Sequence, residues 1–151
     1  MGKKIDIASL KPVVGTLYPS PFDEPCRARE RTRLGDAAGL SQYGVNLLRL
    51  PPGSWSSQRH WHAKEDEFVY VLSGEVVLVT DAGEEVLRAG DCAAFKAGEG
   101  DGHHLVNRSD QDVMLIEVGN RDPADRTVYS DIDMVAEPME EGFRRRDGTP
   151  I

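Results

Sequence analysis

Residues 60–79 read HWHAKEDEFVYVLSGEVVLV: two histidines one residue apart, a cluster of acids, then an apolar run broken once at Ser73-Gly74. Valine, tyrosine and phenylalanine favour the pleated, half-buried surface of a strand. Side chains at i and i+2 of a strand share a face, so His60 and His62 project together, about 7 Å apart along the backbone at ~3.3 Å per residue, while Trp61 points away. Two imidazoles so placed can tilt onto one ion, with Glu65, Asp66 or Glu67 as a third ligand. The plainer alternative is a solvated strand edge whose histidines hydrogen-bond to nearby acids.

The same texture continues on both sides. YGVNLLRLPPG, EFVYVLSG, EVVLVTDAG, EEVLRAGD, CAAFKAG, HHLVNRSD and VMLIEVGNR are short β-rich runs, each closed by Gly, Pro, Asn or Asp. They recur roughly every ten residues with no helical pattern between them, which predicts an antiparallel sandwich or barrel and not βαβ units. Ser73-Gly74 and Asp81-Ala82-Gly83 suit hairpins, where glycine supplies a positive φ. The first 41 residues, with four prolines and no sustained period, are expected to form an irregular arm across the body, with one helical turn near Asp36–Leu40 capped by Asp36. Regular structure is expected from about Gln42, with residues 42–120 as the barrel core and 121–151 as edge strands and tail of the same domain.

At 151 residues the chain is the size of one domain. Its formal charge of −8 argues against a nucleic-acid surface, because phosphate contacts need clustered, un-neutralised cations; the arginine-dense RARERTR at 27–33 is short and contains a glutamate. No apolar stretch approaches the ~20 residues that cross a bilayer. Cys26 and Cys92 have no framework of spaced partners and no apolar leader precedes them, so both are expected to be free thiols in a reducing cytoplasm. Cys92, within CAAF, reads as a small buried hydrophobe.

All four histidines fall in two places, His60 with His62 and His103 with His104 in GDGHHLVN. A barrel can bring the second place opposite the first. Counting back from Asn107 by twos puts Leu105 and His103 on one face and Val106 and His104 on the other, so only one histidine of that pair can face the interior.

Here the chain resembles the cupins, small double-stranded β-helix or jelly-roll barrels. Their first motif is a glycine, five residues, H-x-H, three or four residues, a glutamate, six residues and a glycine. Gly53, His60-Trp61-His62, Glu67 and Gly74 follow it with one extra residue in the first gap. The second motif is a glycine, five residues, P-x-G, two residues, a histidine, three residues and an asparagine. Gly90, Lys96-Ala97-Gly98, His103 and Asn107 follow it, with lysine for proline and a turn two residues longer. The departures lie in turns, where length is tolerated.

The resemblance implies His60, His62, Glu67 and His103 as ligands of a divalent transition metal (Fe, Mn, Ni or Zn). It leaves Glu65 and Asp66 as solvated acids or partners for an imidazole N–H. Three imidazoles and one carboxylate leave two positions open on a six-coordinate ion but close a four-coordinate zinc. Two open positions suit a small-molecule substrate with neighbouring oxygens, such as a sugar phosphate or sugar acid, in an isomerase or lyase step. Family members also include dioxygenases and ligand-sensing modules without catalysis. Arg49, Arg59 and Lys96 are candidate substrate-binding residues near the barrel mouth. Tyr70 lies on the face opposite Glu67 and reads as packing, and Trp55 and Trp61 as outer cover. Family members are commonly dimers, and an edge-rich barrel protects its edges by pairing, so a homodimer is expected.

Overall fold

In the computed structural model, which describes residues 2–151, twelve strands pair throughout in antiparallel fashion. The strands are β1 (Val13–Val14), β2 (Glu30–Arg33), β3 (Tyr43–Leu50), β4 (His60–His62), β5 (Glu67–Ser73), β6 (Glu75–Thr80), β7 (Gly83–Arg88), β8 (Cys92–Phe95), β9 (His104–Val106), β10 (Val113–Asn120), β11 (Thr127–Tyr129) and β12 (Val135–Ala136). One helical turn, α1, spans Leu34–Ala37. No helix among the described residues is long and apolar enough to cross a membrane.

Two walls enclose the interior. The first is a six-stranded sheet in the order β1-β2-β3-β10-β5-β8. The second is built from two three-stranded sheets, β12-β11-β4 and β7-β6-β9, which a backbone bridge joins: His60 N–H donates to His103 O (3.1 Å) and His103 N–H donates to His60 O (2.9 Å). Each of the seven β-rich runs forms one strand, because alternation lets each bury one face. Leu48, Leu50, Val71, Val76, Val113 and Leu115 are fully buried between the walls.

Several expectations are corrected. Regular structure begins before Gln42: β2 pairs with β3 along Arg31↔Leu48 and Arg33↔Asn46, and β1 pairs with β2. The helical turn starts at Leu34 and has no side-chain cap; Asp36 lies inside it. Asp81-Ala82 does close a hairpin between β6 and β7. Ser73-Gly74 does not, because β5 and β6 belong to different walls. The chain turns a corner there, at φ +83°, and a Cβ on Gly74 would meet Asp112 O at 2.6 Å, so no other residue fits without a shift. Cys92 is exposed: β8 turns Ala93 and Phe95 inward and Cys92 and Ala94 outward, and the buried thiol is Cys26.

The motif asparagine has a structural role. Asn107 is 0% exposed; its Nδ2 donates to Leu50 O (2.8 Å) and Gln111 O (2.7 Å), and its Oδ1 accepts from Ser109 N–H (3.0 Å) and the Ser109 hydroxyl (2.7 Å). One side chain thereby closes the turn after β9 and satisfies a buried backbone carbonyl.

Candidate metal centre

In an antiparallel sheet, paired residues share a face, so the first wall can be read row by row. Leu48, Leu115 and Val71 form an aliphatic row. Two residues further, Arg33, Asn46, Glu117, Val69 and Ala93 form a mixed row, and beyond it come Gly44, Gly119, Glu67 and Phe95. The inner face therefore changes from dry to polar along the strands, and Glu67 sits at the polar end. Gly119 leaves room beside it: a Cβ there would meet Asp66 O at 3.0 Å and Glu67 Cγ at 3.7 Å. The three histidines come from the second wall. His60 and His103 are direct cross-strand neighbours, with ring centroids 4.8 Å apart, and His62 lies two residues on in β4. The expectation that the second histidine site lies opposite the first is therefore corrected: the histidines share a wall, and it is Glu67 that faces them.

Four side chains converge. Glu67 Oε2 lies 3.4 Å from His60 Nε2 and 2.6 Å from His103 Nε2, and Oε1 lies 3.5 Å from His62 Nε2. Their local partners aim the rings. His60 Nδ1 donates to Gln58 O (2.9 Å) and His62 Nδ1 to Asp125 Oδ2 (2.7 Å), which turns both Nε2 lone pairs toward the glutamate. His103 is stacked on Phe95, rings parallel at 3.5 Å. His104 instead donates from Nδ1 to Ser57 O and packs edge-on against Trp55.

Electrostatics follow from this crowding. Burial opposes ionisation of Glu67, but the adjacent imidazoles of His103, His60 and His62 outweigh it and hold the carboxyl well below its usual range. Burial pulls His62 down, yet Glu67 and Asp125 together raise it to about 9. His103 is lowered by burial, only partly offset by Glu67. The donor set suits a divalent ion on two grounds. Ligand atoms of His60, His62 and Glu67 all lie within 4.8 Å of one another. Glu67 Oε2 is also buried with no donor aligned on it, despite its closeness to His103 Nε2, so the lone pairs face a common point more than each other. Three imidazoles and a carboxylate are borderline N/O ligands that hold Fe, Mn, Ni or Zn.

The cluster lies on the floor of a cavity of about 540 Å³, within the usual range for small-molecule sites. Tyr18, Tyr129 and the inner faces of β2, β3 and β10 line it. Of the residues singled out from sequence for substrate binding, Arg49 is bound to Glu30 (3.0 Å) and Asp112 (2.9 Å), away from this lining. Arg59 also lies outside it, fixed by Asp131 (2.8 Å), Asp81 and the Gly102 carbonyl (3.0 Å). Lys96 borders a smaller cavity of about 160 Å³ that reaches His62, Glu67 and His103 from the other side of Phe95. Glu65 accepts from Asp122 N–H (2.9 Å) and stands 3.8 Å from His62 Nδ1, and Asp66 accepts from Ala97 N–H (2.8 Å). The close imidazole partner is Asp125, which sequence reasoning missed: it lies 63 positions from His62 and arrives only because β11 pairs with β4. Arg29, Arg31 and Arg33 also line the cavity; their alternate spacing in RARERTR was the available signal.

An antiparallel two-walled barrel with three histidines and a glutamate inside is the arrangement of a cupin, and comparison with known proteins agrees. The cupin domain family model matches residues 46–119. A sugar phosphate isomerase of the cupin superfamily from Silicibacter pomeroyi is 46% identical, with a TM-score of 0.94 over 99% of this chain and 96% of that one. A protein of Acidithiobacillus ferrooxidans, whose name proposes the same activity, is 27% identical, with a TM-score of 0.72 over 78% of this chain and 74% of that one. The polyketide cyclase of Streptomyces resistomycificus shares the fold at 20% identity and a TM-score of 0.68, over 88% and 89%. No curated protein matches the sequence. The chain belongs to the cupin superfamily.

Proposed function

We propose that this cupin is a metal-dependent isomerase acting on a small, oxygen-rich substrate of the sugar-phosphate class. The observation that carries the reading is the convergence of His60, His62, Glu67 and His103 in the lining of a cavity large enough for such a substrate. The name of the 46%-identical relative supports the substrate class.

When bound by these four residues, a divalent ion supplies Lewis acidity to adjacent hydroxyl and carbonyl oxygens. The chain's own groups do the rest. Asp125 and the Gln58 carbonyl fix the orientation of His62 and His60. Tyr129 and Tyr18 pack edge to face on the cavity wall, ring centroids 5.5 Å apart, and burial raises both phenols, so they remain protonated hydroxyls that can donate to substrate oxygens. Glu65, on the same wall, offers a carboxylate within reach of a substrate C–H or O–H. The working form is proposed to be a cytoplasmic homodimer. Support comes from the free thiols and from the exposed Val13, Val14 and Leu17 at the open edge of the six-stranded sheet. Isomerisation of sugar phosphates by Mn- or Ni-loaded protein under anaerobic conditions tests the function; turnover strictly coupled to oxygen consumption with Fe(II) contradicts it.

A further inference from the structure

One buried cation in the cavity wall forms no ion pair among the described residues. Arg29 is 7% exposed, and its Nε and Nη1 donate to the carbonyls of Gly15 (3.1 Å) and Ser56, both neutral. Its Nη2 has no protein acceptor among the described residues, although a guanidinium remains charged when buried. A buried charge without a counter-ion is costly, and proteins keep one where a ligand supplies the opposite charge.

The neighbouring positions extend the pattern. Arg31 and Arg33 follow at two-residue spacing in β2, which Arg29 immediately precedes, and all three line the cavity, Arg31 half-buried and Arg33 exposed to solvent. Arg31 is neutralised by Glu117 (2.5 Å), which also accepts from Asn46 (3.1 Å). Arg33 lines the cavity and forms no ion pair among the described residues. The other lining charges are spoken for: Arg121 pairs with Asp36, Glu65 holds the Asp122 amide, and Glu67 faces the histidines. Among the described residues, Arg29, buried, and Arg33, solvent-exposed, are thus the cavity-lining arginines without an ion pair.

We propose that Arg29 and Arg33, with Arg31 between them, form a phosphoryl subsite that fixes the anionic end of a substrate while its oxygen-rich end reaches the histidine–glutamate cluster. Two positive charges match a phosphate dianion better than a carboxylate, and guanidinium forks bind phosphate oxygens bidentately. The inference rests on reading the cavity as a substrate site, but the subsite belongs to the metal-free chain and is tested there. A clamp role for Arg29, tying Gly15 to Ser56, is the competing account, and Arg33 makes no such bonds.

The test is titration of the full-length, chelator-treated protein with inorganic phosphate, followed by calorimetry and by the ³¹P line width, with acetate at matched ionic strength as the second arm. Saturable phosphate binding, at least about tenfold tighter than acetate, is expected. Arg33→Gln and Arg29→Lys are each expected to weaken it about tenfold, whereas Arg88→Gln, which removes an equal charge from an exposed position outside the cavity lining, leaves it unchanged. Absence of saturable binding, equal affinity for acetate, or unchanged affinity in Arg33→Gln overturns the proposal. If Arg29→Lys fails to fold, Arg33→Gln alone decides. Metal content measured on the same preparations reports separately on the metal reading, so one can fail while the other stands.

Discussion

The two ends of the barrel interior are built from the same strands and obey opposite rules. At the closed end, Leu48, Leu50, Val113 and Leu115 meet the aliphatic side chains of β6 and β9 and leave no polar group unpaired except through Asn107, whose four hydrogen bonds satisfy it. Two to four residues along β3 and β10 the inward positions become Asn46, Gly44, Glu117 and Gly119, and the space they leave is the cavity. Packing fills the first end and stabilises the fold. The second end concentrates like charges and an unaligned carboxylate oxygen, an arrangement that costs stability and is kept for binding. The lesson is that strand alternation sets which face is inward, while the position along the strand sets whether that face is core or site.

Substitutions at the two ends should therefore separate cleanly. The largest effect is expected from Glu67→Gln, which removes the one anionic ligand: affinity for Mn(II) or Ni(II), measured by competition with a chelating dye, should fall by about a thousandfold or more, since a neutral amide is a poor ligand for such an ion. At the closed end, Leu115→Ala should lower unfolding free energy by about 3–5 kcal/mol in urea titrations while metal affinity per folded molecule stays near wild type. Gly74→Ala, at a corner with positive φ and a backbone oxygen in the way, should cost about 2–3 kcal/mol by the same measurement. Asp125→Asn should keep the fold and reduce metal affinity about 10- to 100-fold through the loosened His62.

The smallest effect is a proton. His62 in the metal-free protein is raised from 6.5 to about 9, so its paired charge contributes stability that is fully present below 6.5 and lost as pH rises through about 9. Metal must displace that proton, so calorimetry at pH 7.5 in buffers of different ionisation enthalpy should show release of about one proton per ion bound. No release at that pH would mean that His62 is already neutral, contrary to the joint pull of Glu67 and Asp125.

Local periodicity carried much of the fold. The seven β-rich runs alternate and end in turn residues, so each was legible as a strand, and counting from Asn107 showed that only one of His103 and His104 could face in. Facts of pairing were not legible. HWH and GHH are 43 positions apart, and nothing local says that His60 and His103 are neighbours on one wall and not facing partners across the barrel. Asp125 depends in the same way on β11 docking beside β4. RARERTR was weighed only as a charge run, too short and interrupted by a glutamate to bind nucleic acid, while its alternation, which was equally visible, places Arg31 and Arg33 on the cavity side of β2. Ser73-Gly74 shows the remaining limit, since a glycine with positive φ serves a hairpin and a corner between sheets equally well.

The central claim is that one divalent ion is held by His60, His62, Glu67 and His103, with the adjacent His104 outside the set. Elemental analysis of protein purified without added metal, for wild type, His103→Ala and His104→Ala in parallel, tests it most directly. The account predicts about one transition-metal ion per wild-type chain, near-complete loss in His103→Ala and retention in His104→Ala. Wild-type protein that takes up no divalent metal even on reconstitution, or a His103→Ala variant that retains its full complement, would contradict it.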